Sequence, residues 1–414
     1  MKGSSTKLAQ SVNVSKKRLE LLSKLLVEDL PSVLQVGVRE WLVARSTLLA
    51  EVLLAAEVDG IAGQRNERNS ERECVRWGTQ DGSILVMEQR LPVDKPRVRT
   101  KGGGSEIGLE TYKALNDKSF LNEQAAAKLL SGVSTRRFEG TLERALDARG
   151  VSRETISKRG AAEMAKRLEH FQTRQLEGVE LLAVFMDGIH LGDDVYVAAM
   201  GIDITGEKYI LGFEPGSTEG STTCQRLIRS LIERGFLTEE HNYLFVVDGG
   251  KALKKAIKSI FGKRAYIQRC IVHKKRNVTS KLPKKMHDWF LGKFNAAYGK
   301  QSAKEAEAAF DQLRLDLLLA RRQGAAGSLG EGLQDLLTLH RMGIQGMLRR
   351  SLYSTNCIES VFSAARYYTR NVKRWYGEQQ SNAWLAAGLL EAEGNLRRVP
   401  GYTQINKLKQ VLGR

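Results

Sequence analysis

Long apolar runs are missing from this 414-residue sequence. A membrane-crossing helix needs roughly 20 such residues, and the segment Leu48 to Ala56 is short and carries Glu51. The chain also lacks a secretory opening, since Met1, Lys2, Gly3, Ser4 and Ser5 do not lead into an apolar core. A cytoplasmic protein is expected. Cysteine is scarce: Cys74, Cys224, Cys270 and Cys357 stand far apart, which excludes a disulfide-stapled module and points to reduced thiols. Acidic residues are in deficit, with 47 Asp and Glu against 65 Lys and Arg and a formal net charge of +18. Such a balance calls for a polyanionic partner. A basic membrane-surface protein would carry the same sign, but nucleic acid leads, because counterion release rewards each cation placed against a phosphate. With 42% hydrophobic and 27% charged residues the composition is that of a globular protein, long enough for two or three domains.

Apolar residues recur at helical spacing from Ser15 to about Glu57, as in Leu19, Leu22, Leu25 and Leu26. Cys74 to Val98 then alternates, and Asp81-Gly82 is a pair favoured in tight turns, so a small hairpin turning there is expected. Lys101-Gly102-Gly103-Gly104-Ser105 reads as a flexible joint and fits no nucleotide-binding glycine fingerprint. Three helical stretches follow between Leu121 and about Arg174, the central pair separated by Arg149-Gly150-Val151-Ser152 with Ser152 as cap. This fits a helix-turn-helix, whose second helix would offer Arg153, Thr155, Ser157, Lys158 and Arg159 to a DNA groove. Two helices joined by a glycine turn are also ordinary core packing, and only the net charge favours the DNA reading.

The texture turns to strands at Leu181. Leu181 to Met186, Val195 to Ile202 and Tyr209 to Phe213 predict an antiparallel meander; a helix over Thr222 to Arg234, a strand over Tyr243 to Val247, a helix over Lys251 to Phe261 and a strand near Ala265 to Gln268 follow. The order β-β-β-α-β-α-β is that of a ribonuclease H-like core. After Pro283 the pattern is helical for about seventy residues, a helical insertion, and the core resumes near Ser354.

Asp187 is expected at the end of the first strand of this core and Asp248 at the end of the fourth, each followed by glycine. First and fourth strands are neighbours in that order, so the two acids can converge on one metal, and hard cations such as Mg²⁺ prefer oxygen ligands. A third acid, Glu359, falls about one turn into a helix started by Ser354 or Thr355, with Arg366 two turns further along the same face and aimed at phosphates. Singly, an Asp-Gly after a strand is commonly a turn and a helical Glu a solvated residue. Jointly, the three acids fall on the elements that would bring them to one metal.

The segments Val184-Phe185-Met186-Asp187-Gly188, Val246-Val247-Asp248-Gly249, Gln268-Arg269-Cys270-Ile271-Val272-His273 with Arg276-Asn277-Val278, and Thr355-Asn356-Cys357-Ile358-Glu359-Ser360 resemble those of Mutator-type transposases of bacterial insertion sequences, which carry a DDE acid triad. The resemblance spans most of the chain. It implies an α/β architecture in which a mostly helical N-terminal DNA-binding region precedes a ribonuclease H-like catalytic domain with a helical insertion ahead of the glutamate. The expected division is residues 1–100, a helix-turn-helix region at 101–178 and the catalytic domain at 179–414, with the insertion at about 279–350. Also implied are Asp187, Asp248 and Glu359 as catalytic ligands of two Mg²⁺ or Mn²⁺ ions, hydrolysis at the element ends, strand transfer by the freed 3′-hydroxyl, and double-stranded DNA partners in the form of terminal inverted repeats and target. A homodimer or larger assembly, nucleoid association and no nucleotide cofactor complete the expectation.

Cys270 and His273 have the spacing of half a zinc site, yet a structural zinc takes four ligands and no second pair is present. Two readings stand: a buried thiol beside a hydrogen-bonded histidine, or a histidine near the active site with Lys274, Lys275 and Arg276 gripping the DNA backbone. Lys373 and Arg374, with Tyr367, Tyr368, Trp375 and Tyr376 nearby, are further candidates for DNA contact. A nuclease or resolvase would share the acids without recognising inverted repeats, and a non-catalytic regulator would not need them.

Overall fold

The computed structural model describes residues 38–65, 72–86, 89–102, 104–117, 119–132, 153–218, 220–236, 241–370, 372 and 377–414. The chain divides into two compact units, residues 1–163 and 164–414.

In the first unit, helix α1 (Val38–Ala62) lies on a hairpin of β1 (Cys74–Val86) and β2 (Gln89–Thr100), which a short β3 (Glu106–Ile107) extends. Ala50, Leu54, Val58 and Ala62 of the helix bury against Ile84, Leu91, Val93 and Val98 of the strands, each large side chain contributing about 1.5–3 kcal/mol. The hairpin does not turn at Asp81-Gly82 as the dipeptide suggested. Asp81 pairs with Asp94 inside the ladder, which continues to Val86 against Gln89. A turn at Gly82 would have removed Ile84 from the buried face. Gly82 serves a close approach instead: a Cβ there would lie 3.1 Å from the Tyr112 hydroxyl, which accepts a hydrogen bond from the Ser83 amide. Helices α2 (Glu110–Leu115) and α3 (Ser119–Leu130) and the first turns of α4 (Arg153–Thr173) complete the unit. The expected turn of the helix-turn-helix, Arg149 to Ser152, and the opening helical segment before Val38 lie outside the described residues.

The second unit is built on a five-stranded mixed sheet. Strands β4 (Leu181–Leu191), β5 (Asp194–Asp203) and β6 (Lys208–Pro215) form the expected antiparallel meander. After α5 (Ser221–Glu233), strand β7 (Tyr243–Val247) adds to β4 in parallel; after α6 (Lys251–Phe261), β8 (Ala265–Arg269) adds in parallel to β7. Side chains alternate between sheet faces. On one face Val184, Met186, Val197, Ala199, Phe245 and Val247 bury against Leu227, Ile228 and Leu231 of α5 and Leu253, Ile257 and Phe261 of α6.

Helices fill the chain from Ile271 to Leu352: α7 (Ile271–Thr279), α8 (His287–Tyr298), α9 (Ala303–Leu319), α10 (Gln323–Gly330), α11 (Leu333–Leu336), α12 (Thr338–Arg341) and α13 (Gly346–Leu352). They enclose a core of their own around Phe290, Phe294, Phe310, Leu317 and Leu329. Ser302 and Glu305 close a capping box at the start of α9. Buried polar bonds fasten this helical layer to β8: the Gln268 side-chain amide donates to the Leu336 carbonyl at 3.0 Å, the Leu339 amide donates to Gln268 Oε1 at 3.1 Å, and Thr338 Oγ1 donates to the Ile267 carbonyl at 2.6 Å. Helices α14 (Asn356–Thr369), α15 (Glu378–Glu393) and α16 (Ile405–Val411) close the chain. Among the described residues no helix is long and apolar enough to cross a membrane.

Candidate active site

The parallel register of β4 and β7 sets the first two acids side by side. Its last pair is Met186 with Val247, so Asp187 and Asp248 each follow by one residue. Their chains then part. Asp187 does not end its strand as the sequence suggested, because β4 runs on to Leu191 by pairing with β5, Asp187 opposite Ala198. Asp248 leaves the sheet and its Oδ1 accepts from the Gly250 amide at 2.8 Å, just ahead of α6. Gly249 between them adopts φ +99°, and a Cβ there would lie 2.8 Å from Arg269 Cζ. Glycine is needed for both reasons.

Asp187 belongs to the face opposite the α5–α6 layer, the face it shares with its partner Ala198 and with Tyr196 two residues away. Tyr196 donates to Ser381 Oγ of α15 at 2.7 Å, and α14 packs on β4, so the last helices cover this face. Glu359 enters from the first turn of α14. His273 enters from α7. One ligand atom each of Asp187, His273 and Glu359 lies within 4.8 Å of the other two, and among the described residues no other group of three His, Cys, Asp or Glu comes so close together.

Thr355 and Cys270 lie beneath this trio. Thr355 Oγ1 is 3.1 Å from Glu359 Oε1, 3.4 Å from His273 Nδ1 and 3.5 Å from Cys270 Sγ. The Thr355 amide also donates to Cys270 Sγ at 3.4 Å. Sequence reasoning gave Thr355 only a capping role, yet its side chain makes no cap bond. Cys270 is the residue before α7; its amide donates to the Val247 carbonyl at 2.7 Å, and the next amide, Ile271, donates to the Tyr353 carbonyl at 3.0 Å. The thiol is thus committed to Thr355 and His273 and joins no metal-ligating group among the described residues.

Burial pushes the Asp187 carboxyl above its usual range, an effect that His273, the Gly188 amide and Thr355 oppose and the Asp248 charge reinforces. Hydrogen bonding with Cys270 raises His273 to about 9, against the cost of burial and with help from the Cys270, Asp187 and Asp248 charges. Burial alone would raise the Cys270 thiol, but its bonds with His273 and Thr355 outweigh that and leave it lowered. The pocket therefore favours positive charge beside a carboxylate that is only 7% exposed. Asp187 and Glu359 share one group with His273, whereas Asp248 lies outside that 4.8 Å group; carboxylate oxygens of this kind are ligands that hard cations such as Mg²⁺ or Mn²⁺ accept.

Arg366, two turns beyond Glu359, is exposed, and its Nε donates to the His190 carbonyl at 3.1 Å. It borders an open cavity of about 600 Å³ with His190, Asp193, Asp194, Arg370 and Glu378. The Arg370 guanidinium stacks 3.6 Å from the ring centroid of the exposed Tyr367. Lys274 is not available to a phosphate as the sequence suggested: it is fully buried, and its ammonium donates to the Ser328 and Glu331 carbonyls. Lys275 is half-buried with its ammonium 5.3 Å from the Phe294 ring centroid, and Arg276 is exposed. In the first unit, on α4, Ser157 and Lys158 are exposed, Lys158 pairing with Glu154 at 2.8 Å, while Thr155 and Arg159 are half-buried. The Arg153 side chain, Lys373, Arg374, Trp375 and Tyr376 lie outside the described residues.

A family model described as "Transposase, Mutator family" matches residues 21–397. The chain is similar to the transposase for insertion sequence element IS256 in transposon Tn4001 of Staphylococcus aureus, at 24% identity over 376 residues, 88% of this chain and 93% of that protein. It is also similar to the transposase for IS905 of Lactococcus lactis, at 27% over 328 residues and 78% of each chain. The transposase for IS6120 of Mycolicibacterium smegmatis is 26% identical over 270 residues, 64% of this chain and 81% of that protein.

Proposed function

The chain belongs to the Mutator family of transposases, and we propose that it is an insertion-sequence DNA transposase whose ribonuclease H-like unit cuts the element ends and joins them to target DNA. The observation that carries this reading is the convergence of Asp187, Glu359 and His273 within 4.8 Å, with Asp248 set beside Asp187 by the strand register. Asp187, Asp248 and Glu359 would hold two Mg²⁺ or Mn²⁺ ions, which when bound supply positive charge against the reacting phosphate.

The residues of the chain arrange the rest. In the first reaction a water oxygen bonds to phosphorus at an element end, and the strand's 3′ oxygen leaves as a hydroxyl. That hydroxyl then bonds to a target phosphorus and displaces the target's 3′ oxygen. Each step makes one phosphorus–oxygen bond and breaks one, so neither ATP nor a covalent protein intermediate is needed. His273 orients a phosphate oxygen or the attacking water from beside Asp187 and Glu359. The exposed guanidiniums of Arg276 and Arg366 hold the backbone of the scissile strand. Recognition of terminal inverted repeats falls to the N-terminal region, where a helix-turn-helix containing α4 would present Arg153, Thr155, Ser157, Lys158 and Arg159. Two element ends must be held together, which calls for a dimer or larger assembly.

The test is incubation of purified protein with Mg²⁺ or Mn²⁺ and labelled DNA carrying the inverted repeats that flank its gene, with Asp187→Ala and Glu359→Ala alongside. Wild type should nick at the repeat end and join that end to another strand, while both variants bind and do neither. Activity retained by the variants would refute this metal site. Cleavage without joining would favour a nuclease, and binding alone a regulator.

A further inference from the structure

We propose that Thr355 is a positioning residue whose hydroxyl, anchored through Cys270, holds Glu359 in the rotamer that faces Asp187. The proposal rests on the reading of Asp187, Asp248 and Glu359 as one catalytic group. Thr355 is fully buried and occupies the N-cap of α14, where a threonine hydroxyl ordinarily accepts from an amide of the first turn. Here it makes no such bond. The hydroxyl lies 3.1 Å from Glu359 Oε1, 3.4 Å from His273 Nδ1 and 3.5 Å from Cys270 Sγ, and it also bonds toward the Asp187 carboxyl.

A hydroxyl has one proton and two lone pairs, and an ionised carboxylate can only accept. The hydroxyl donates toward Glu359 Oε1 at 3.1 Å and, over a longer distance, toward Cys270 Sγ at 3.5 Å, while a lone pair faces the imidazole nitrogen; of the two acceptors the carboxylate is the closer and the stronger. The four-residue spacing puts Thr355 one helical turn below Glu359 on the same face. Glu359 emerges near the start of a helix, and a glutamate has three side-chain torsions to fix. A hydroxyl one turn below, itself locked by burial, fixes them.

The anchor extends back to the sheet. The Thr355 amide donates to Cys270 Sγ at 3.4 Å, and the Cys270 amide donates to the Val247 carbonyl at 2.7 Å, directly before Asp248. A continuous bonded path thus leads from the strand that delivers Asp248 to the carboxylate that comes from the far end of the sequence. This answers how an acid on a separate helix keeps its distance from two acids on the sheet.

The experiment compares the full chain with Thr355→Val, Thr355→Ser and Glu359→Gln, measuring Mn²⁺ affinity without DNA from the paramagnetic resonance signal of free Mn²⁺, and cleavage kinetics with DNA. Valine keeps the shape and loses the hydroxyl. Thr355→Val should weaken Mn²⁺ binding about tenfold or more and lower kcat with KM for DNA little changed, while Thr355→Ser stays within about threefold of wild type. Mn²⁺ affinity unchanged in Thr355→Val but weakened in Glu359→Gln would overturn this role for Thr355 and leave the proposed function standing. Wild-type affinity in Glu359→Gln would remove the catalytic group and this proposal with it. If Thr355→Val fails to fold, Thr355→Ser and Thr355→Ala both lack the methyl and differ only in the hydroxyl: a loss confined to alanine supports the proposal, and equal behaviour overturns it.

Discussion

Gly249→Ala tests whether Asp248 is held in place through Arg269. At φ +99° an alanine is strained, a cost of about 1–3 kcal/mol. Its Cβ would also lie 2.8 Å from Arg269 Cζ and 2.9 Å from Cδ, so the guanidinium must shift. That guanidinium donates to the Glu331 carbonyl at 2.7 Å, and losing a charged bond of this kind costs about 1.5–3 kcal/mol. Together the two effects predict a loss of about 2.5–6 kcal/mol, which for a unit of this size lowers the unfolding midpoint by roughly ten degrees. Thermal unfolding followed by circular dichroism measures it. Cleavage should fall as well, because Asp248 is bonded within the same turn. The Arg269 part can be separated with Arg269→Ala, since in that background Gly249→Ala should cost only the backbone strain and the double variant should be more stable than the sum of the singles. A Gly249→Ala midpoint within about one degree of wild type, or strict additivity with Arg269→Ala, would show that Arg269 does not brace the turn at Asp248.

Lys274→Met should cost more stability at pH 9.5 than at pH 7: burial lowers Lys274 to about 8 in the folded chain, whereas an unfolded lysine titrates near about 10.4, so wild type gains stability as pH rises through that window and the variant does not. Unfolding midpoints at the two pH values check this, and an equal cost at both would show that Lys274 titrates normally. Ser302→Ala, which opens the capping box with Glu305 at 3.2 Å, should cost about 1 kcal/mol and leave cleavage unchanged; a larger loss would mean that α9 depends on more than its cap.

The sequence made the sheet legible because its strands are short apolar runs bounded by turn residues, and a buried strand leaves little else for Leu181 to Met186 or Tyr243 to Val247 to be. The placement of Asp187 and Asp248 on neighbouring strands was legible for a related reason, since each follows such a run directly. What the sequence could not show was decided by partners distant in the chain. Asp81-Gly82 has the chemistry of a turn, but Ile84 beyond it is needed under α1, and burial outweighed the local preference. Asp187 looked like a strand end because Gly188 follows, while pairing with β5 carries the strand to Leu191. Lys274 stands in a basic run that suits a DNA backbone, but its neighbour in space is a helix end. Thr355 was legible as a cap, and only the approach of Cys270 and His273 gives its hydroxyl a different use.

These exceptions share a cause that bears on the site. The buried cations Arg269 and Lys274 meet carbonyls at the C-terminal end of α10 and just beyond it, where the helix dipole is negative. Lys254 of α6 pairs with Asp335 of α11 in the same region. Burying cations is costly unless the acceptors are fixed, and removing one partner leaves an uncompensated charge. The helical layer is therefore not an appendage whose loss the sheet would tolerate. Arg269, the last residue of β8, rests on Gly249 beside Asp248 and on the chain after α10, so a displacement around Glu331 is transmitted through one side chain to a proposed metal ligand. Substitutions in that layer should reach cleavage through the position of Asp248 even where no DNA is touched.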